Sequence, residues 1–381
     1  MRILHAFPFL SVKRGGGTVK LLRDLARAQS LRGHSVTIYT GDWALERDDV
    51  TSLAGVRVRA FRSWMNFGFY IAPALIGAAR SEISGFDVVH MHLYRSFQNV
   101  VLHRFARKAG VPYIVDAHGS LTRLGRKGRL KAAFDRWPGG TILRDARYCV
   151  GETELGVREY IDLGVPPERV VRIPPPFPVE EFADLPERGL FRARHGFVDS
   201  ERIVMFLGRI HWIKGIDLLT ESFARLASRR RDVRLVIVGP DDGYRSELEA
   251  LIAGLKLHDR VSFTGFLGGR EKLSALVDAD VVVQTSRYEQ GAWAPIEAVL
   301  CGTPIVVSDN SGAGEDVRRM NAGYLVRFGD LDDLAGAIGH VLDNRAEAIT
   351  RTLAARDFVE KNLSMAAELD KYEHLYDLCR T

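Results

Sequence analysis

Glu289 and Glu297 stand eight residues apart in EQGAWAPIE, flanking small residues that lead into Pro295. An apolar run, Asp280 to Thr285, precedes this stretch, and an apolar helical run follows it. Proline suits the first turn of a helix, where a missing N–H leaves no bond unmade. This spacing puts Glu289 on the loop at a strand's end and Glu297 in the opening helical turn. Between them the amides of Ala292, Trp293 and Ala294 point outward at the positive end of the helix dipole, which makes an anion site. The two carboxylates accept hydrogen bonds from hydroxyls. A phosphate cradle flanked by hydroxyl acceptors suits a ligand that is both sugar and phosphate. Acidic residues also favour helix starts on their own account, so other residues must carry the reading further.

Several do. Gly208-Arg209 follows a buried strand, and Lys214-Gly215 starts the next helix. Two cations at a strand's carboxyl end suit neutralisation of a diphosphate leaving group, or a solvent-facing loop. His118, in DAHG, ends another apolar run; its imidazole suits a sugar hydroxyl, a proton, or a structural role. His90 and His92, in VVHMHLY, lack the surrounding ligands of a metal site and read as cleft-lining or structural. Gly15-Gly16-Gly17 follows the first strand and precedes a helix, where bare backbone can approach a phosphate. This is not GxGxxG, and no acidic residue ends the second strand, so a dinucleotide dehydrogenase is disfavoured. Phe266 and Leu267, in TGFL, suit either the shelter of a nucleotide base or a core. Glu315, in SGAGED, suits either a ligand turn or a helix start.

Those residues need strands that end together and helices that begin there. Short Val- and Ile-rich runs alternate with amphipathic runs along all 381 residues. The strands expected in the first half are Ile3–Phe7, Ser35–Thr40, Val56–Phe61, Asp87–His90, Tyr113–Ala117, Tyr148–Gly151 and Val170–Ile173. Those in the second half are Ile203–Leu207, Arg234–Val238, Val261–Thr264, Val281–Thr285, Ile305–Ser308 and Tyr324–Val326. Apolar runs without polar alternation fit buried parallel strands, and the alternation with helices fits doubly wound α/β sheets. IPPPFP, Ile173 to Pro178, reads as an extended linker. We therefore expect two Rossmann-like domains, 1–176 and 177–362, with the final helical segment, 363–381, packing back on the first. Ligands of open α/β sheets bind beyond the strands' carboxyl ends, and two such domains facing across a cleft offer a small-molecule site.

Apolar residues make up 46% of the chain and charged residues 27%, ordinary for a globular protein. The longest apolar stretch, Phe67 to Ala79, is too short to span a bilayer and contains Pro73. The start, MRILHAFPFL, lacks the architecture of a signal peptide. Three scattered cysteines imply neither a metal pattern nor a disulfide framework, which fits a reducing, cytoplasmic compartment. Charge is uneven: residues 1–180 hold 27 basic against 16 acidic side chains, the remainder 26 against 32. The basic half, densest over Thr122 to Arg136, suits an anionic acceptor or the anionic inner face of a membrane, where the protein would be peripheral, as well as plain solvation. No aromatic interleaving or base-reading module accompanies it, so nucleic acid is not expected as a partner.

In order and spacing, these pieces resemble the retaining GT-B-fold glycosyltransferases of family 4 (glycosyl transferases group 1) over nearly the whole chain. GGTVKLLRDLARAQSLRGHSV resembles the family's glycine loop and first helix, FDVVHMH and VDAHG its strand-end histidine motifs, GRIHWIKGIDLL its Arg/Lys motif, and EQGAWAPIEAVLCGTPIVVS its Glu-x7-Glu motif. The resemblance implies that Gly16 and Gly17 approach the donor phosphates. Arg209 and Lys214 hold the diphosphate, and His118 lies near the donor sugar. Glu289 sits at the sugar and transfer centre, while Glu297 takes the ribose hydroxyls. The chain departs from the pattern at Gly291-Ala292, where a bulky residue and then glycine are usual, so a methyl adjoins the sugar. It departs again at Pro174-Pro175-Pro176, which replaces Pro-Asn-Gly, and at Gly15, an added glycine.

The expected activity is transfer of a hexose from a nucleotide diphosphate sugar to a sugar, lipid-linked or polysaccharide acceptor. Retention at the anomeric carbon and independence from metal and cofactor are implied, in cell-envelope polysaccharide or glycolipid synthesis. No general base is assigned. A nucleotide-sugar epimerase of the same build would consume donor without acceptor. A non-catalytic nucleotide-sugar-binding subunit would bind donor and never release nucleotide diphosphate.

Overall fold

The computed structural model describes residues 1–66, 69–124, 128–291 and 293–380. It divides into Met1–Phe177 together with the chain from Leu363 onward, and Pro178–Asn362. Phe177 belongs to the first unit because it bonds to the returning chain: its N–H donates to Leu363 O at 2.8 Å, and its carbonyl accepts from Met365 N at 2.9 Å. The proline run before it is extended but buried rather than an exposed tether.

The N-terminal unit holds β1 (Arg2–Phe9), β2 (Ser35–Gly41), β3 (Arg57–Phe61), β4 (Trp64–Asn66), β5 (Phe69–Ile71), β6 (Val88–His92), β7 (Tyr113–Asp116), β8 (Tyr148–Gly151) and β9 (Val170–Arg172). Seven of these form a parallel sheet in the order β3-β2-β1-β6-β7-β8-β9. Strands β4 and β5 form a separate antiparallel pair that was not expected, being too short to show a period. Alternation along β1 assigns its faces. Leu4 and Ala6 join the core with Leu75, Ala79 and Leu102 of helices Ala74–Glu82 and Phe97–Ala109. Ile3 points the other way, into a core with Leu25, Leu369, Tyr372 and Tyr376. His5 shares the parity of Ile3, so it lies beneath helices Val12–Leu31 and Met365–Arg380.

The expected glycine loop after β1 is instead a break within a helix. Helix Val12–Leu31 contains Gly15, Gly16 and Gly17, and Gly16 leaves helical geometry at φ 59°, ψ −140°, a conformation in which a Cβ is not tolerated. A Cβ on Gly15 would come within 2.1 Å of Val19 Cγ2.

The C-terminal unit holds β10 (Arg202–Leu207), β11 (Val233–Val238), β12 (Val261–Gly265), β13 (Val281–Gln284), β14 (Ile305–Ser308) and β15 (Tyr324–Val326), ordered β12-β11-β10-β13-β14-β15 and all parallel. Val204 and Phe206 of β10 pack with Leu219, Phe223 and Ile338 of helices Ile216–Arg229 and Leu331–Asp343. Every strand expected from the sequence is present; many are the buried, Val- and Ile-rich runs that a parallel sheet covered on both sides requires.

Asp280, just before β13, is buried and collects donors from distant segments. It accepts from Ile203 N at 2.8 Å, Arg192 Nη2 at 2.7 Å and Arg188 Nη2 at 3.0 Å, and it pairs with Arg345. Arg192 is itself buried. Removing one member of a buried pair strands the other, at about 3–5 kcal/mol. Asp280→Ala should therefore lower the unfolding free energy of this unit by about that amount, measured by urea titration; a loss under about 1 kcal/mol would show that Arg192 finds other partners.

Candidate active site

Strand order in the C-terminal sheet reverses between β10 and β13, which are neighbours in space although β11 and β12 lie between them in sequence. At such a reversal the helices that follow the two strands pass to opposite faces of the sheet and leave a crevice at the strands' carboxyl ends. Arg209 and Lys214 follow β10, and Glu289 follows β13. The loops are fastened together below these side chains. Gly215, at φ 64°, lies so close to Thr285 that a Cβ would stand 1.9 Å from its carbonyl oxygen. Thr285 Oγ1 donates to Gly215 O at 2.8 Å, and Arg287 N donates to Ile213 O at 2.8 Å. The Arg287 guanidinium grips Asp217 and donates to Trp212 O at 2.7 Å.

Lys214 Nζ forms an ion pair with Glu289 Oε2. Each side chain is only 16% exposed, so the pair is sheltered from bulk screening. Ser286 Oγ donates to the same oxygen at 3.1 Å, and Gln284 Nε2 stands at 3.3 Å from it. Glu289 O accepts from Gly312 N at 2.8 Å, which fixes the backbone too. Arg209 turns away from this pair to Asp242 and is half-exposed. His211 lies between the two cations in sequence; burial first, and then the nearby Arg209 and Lys214, hold its pKa below the ordinary imidazole value despite Asp242.

Helix Trp293–Leu300 opens with Trp293 and Ala294, and Pro295 sits in its first turn. Gly291 precedes it, half-buried, while Ala292 lies outside the described residues. Glu297 is buried, and its Oε1 accepts from Lys272 Nζ at 2.6 Å. Beyond β12, Phe266 is exposed and Leu267 is buried in the core. Glu315 stands in the first turn of helix Gly312–Met320.

His118 follows β7 in the N-terminal unit with φ 46°, and Gly119 follows at φ 75°. Its ring is not free. Nδ1 lies 2.7 Å from Glu152 Oε1, and Nε2 lies 2.8 Å from His92 Nδ1. The chain of contacts continues from His92 Nε2 to His5 Nδ1 at 2.8 Å and from His5 Nε2 to Gln29 Oε1 at 2.7 Å. Gln29 Nε2 donates to Tyr376 Oη at 3.1 Å, and that hydroxyl lies 2.8 Å from His90 Nδ1. Strand register explains the assembly: His5 pairs with His90, and His92 with Asp116, so all point to the face beneath the C-terminal helix. Two groups, His5/His90/His92 and Asp116/His118/Glu152, are close enough to hold an ion. Within them His5–His92 and His118–Glu152 stand at hydrogen-bond spacings of 2.8 and 2.7 Å, while His90 bonds to Tyr376 and Asp116 Oδ1 lies 3.2 Å from His118 Nδ1.

Burial keeps His5 at about 4, and drives His90 and His92 well below the ordinary value with help from neighbouring histidines. For His118 burial opposes the proton, but the charges of Asp116 and Glu152 prevail and its pKa is raised. Burial pushes Asp116 up to about 7.

Comparison with known proteins bears on both units. The family model described as glycosyl transferase 4-like domain matches residues 16–176, and that described as glycosyl transferases group 1 matches 187–357. A D-inositol 3-phosphate glycosyltransferase of Kineococcus radiotolerans is 29% identical over 364 residues, covering 88% of this chain and 80% of the relative. A 2-deoxystreptamine glucosyltransferase of Streptomyces kanamyceticus is 29% identical, covering 67% of each. The crystal structure of Anabaena HepE in complex with UDP and glucose has the same fold, with a TM-score of 0.83, 21% identity and 99% of each chain covered.

The chain belongs to the GT-B glycosyltransferases of group 1, family 4. In this glycosyltransferase, sequence reading passed over Lys272, the partner of Glu297, because a lysine in an amphipathic helix looks like any solvated charge. Glu152, Asp116, Gln29, Tyr372 and Tyr376 were passed over too. Their link to His118 crosses up to 347 residues between Gln29 and Tyr376 and has no local signal.

The histidine layer sets a pH dependence for the glycosyltransferase. Below pH 6.5 the unfolded chain protonates His5, His90 and His92 while the folded chain does not, so these groups withdraw stability as pH falls. Asp116, protonated when folded up to about 7, offsets one of the three protons. His118, raised, adds stability that is complete below 6.5 and fades as pH rises through its folded value. Thermal unfolding should show maximal stability near neutrality and a fall toward pH 5; a midpoint that rises on acidification would contradict the neutral burial of the three rings.

Proposed function

We propose that the chain transfers a hexose from a nucleotide diphosphate sugar to an acceptor hydroxyl, retaining anomeric configuration and using no metal. The sheltered Lys214–Glu289 pair at the β10/β13 reversal carries the reading. A diphosphate entering there takes over Lys214, with Arg209 swinging from Asp242 to join it. Glu289 is thereby released toward sugar hydroxyls, still held by Ser286 and Gln284. Charge building on the departing phosphate then meets a cation in a sheltered site, the arrangement that lowers such barriers most. Glu297 and Lys272 suit the ribose and its adjoining phosphate. The donor class is supported by the fold neighbour's UDP and glucose. The two named relatives act on inositol phosphate and 2-deoxystreptamine, which favours a polyhydroxylated ring as acceptor.

Lys214→Ala should reduce turnover by about 10²–10³ while leaving the unfolding midpoint of the unliganded protein within a few degrees. It should also abolish the thermal stabilisation that a panel of nucleotide diphosphates gives the parent. Near-normal turnover would remove Lys214 from the mechanism. Consumption of donor without acceptor would favour an epimerase.

One segment favours a membrane-associated setting. Leu124, Leu130 and Trp137 are exposed at 49%, 51% and 74%, in a segment that also carries Arg123, Arg129, Lys131 and Arg136. Phe134 of the same segment stacks on Phe69 at 5.9 Å, next to exposed Trp64 and Met65 on the β4–β5 pair. Apolar side chains among cations fit an anionic interface. Sedimentation with phosphatidylglycerol vesicles should succeed at low salt, weaken at high salt, and be lost in Trp137→Ala. Equal partition to neutral phosphatidylcholine vesicles would overturn this setting.

A further inference from the structure

We propose that His118 is a fixed imidazolium, that Glu152 is the positioning residue that keeps it charged, and that the hydrogen-bond chain to Gln29 enforces the extra proton. The argument is a count of protons along named contacts. Gln29 Nε2 donates to Tyr376 Oη, so Oε1 faces His5 Nε2, and a carbonyl oxygen only accepts. His5 therefore carries its proton on Nε2 and presents a bare Nδ1. His92 Nε2 must donate to that nitrogen at 2.8 Å, which leaves His92 Nδ1 bare. His118 Nε2 must then donate to His92 Nδ1 at 2.8 Å. The other His118 nitrogen, Nδ1, faces the Glu152 carboxylate at 2.7 Å and must donate as well. Both nitrogens bear protons, so the ring is charged.

The surroundings agree with the count. Asp116 Oδ1 lies 3.2 Å from the same Nδ1, off hydrogen-bond geometry but close enough to attract the charge. Its other oxygen accepts from Tyr372 Oη at 3.0 Å. Tyr160, on the adjoining helix, is taken up by Ala117 N and Val115 O and offers His118 nothing. His90 meets Tyr376 rather than His118. The His118 side chain is 2% exposed, so water cannot replace its partners. A ring committed at both nitrogens neither accepts nor delivers a proton during a reaction. What His118 supplies is a permanent positive charge at the carboxyl end of β7, on a backbone turn held at positive φ.

The catalytic consequence rests on the proposed transferase reading, whereas the protonation state does not, so the test reads the ring without substrate. In the full chain with ¹⁵N-labelled histidine, the His118 resonances, assigned by their loss in His118→Gln, should show both nitrogens protonated at pH 7.5. His5 and His92 should show the Nε2–H tautomer. Glu152→Gln should lower the His118 titration by at least about one pH unit. If transfer activity is present, its alkaline limb should move down by the same amount. A reversed chain, with the Gln29 amide turned over and each ring singly protonated on Nδ1, would overturn the proposal, as would a titration unmoved in Glu152→Gln. Should that variant fail to fold, the tautomers of the unsubstituted protein decide the question alone.

Discussion

Strand order in the C-terminal sheet reverses between β10 and β13, and the site's chemistry depends on that reversal. Neighbouring strands whose following segments depart in opposite directions leave their carboxyl ends uncovered. Into that gap the chain places a lysine from one loop and a glutamate from the other. The glycine at 215 lets the two loops approach to backbone contact. With any side chain at that position, Lys214 and Glu289 could not hold their present separation. The pair is thus a product of topology first and of local sequence second.

A second constraint governs the N-terminal unit. Parallel register brings His5, His90, His92 and Asp116 to one face, where apolar residues are otherwise the rule. Polar groups in a buried layer cost free energy unless they find partners. The helices Val12–Leu31 and Met365–Arg380 supply partners as Gln29, Tyr372 and Tyr376, while His90 Nε2 and Asp116 Oδ1 make no hydrogen bond. The last helix is therefore tied by hydrogen bonds as well as by apolar contact, through Leu369 and Leu375. The layer couples the loop after β7 to helix Met365–Arg380.

The two sites differ in how they hold charge. Lys214 and Glu289 retain some exposure, which the proposed exchange of partners with an anion requires. His118 and Glu152 are sealed in and cannot exchange theirs. In the proposed reading, an exchangeable pair suits binding and release of a charged ligand, while a sealed pair suits a constant field.

Much of this was legible before any coordinates. Val- and Ile-rich runs marked the strands of both parallel sheets, many of them without polar alternation as burial on both faces requires. The Glu289–Glu297 spacing, Pro295 and the Gly-Arg and Lys-Gly steps marked the loops that matter, because helix starts and strand ends have local chemistry. Local chemistry ends where distant residues meet. That Glu289 holds Lys214, that Lys272 meets Glu297, and that Arg209 turns to Asp242 follow from strand order and helix rotation, which no window of sequence contains. The glycine triplet broke a helix instead of forming a loop, with Gly16 at a positive φ inside Val12–Leu31. His118 shows the division most plainly. Its position at a strand end was written in the chain, whereas its partners, and hence its charge, were decided by register across three strands and by a helix more than two hundred residues away.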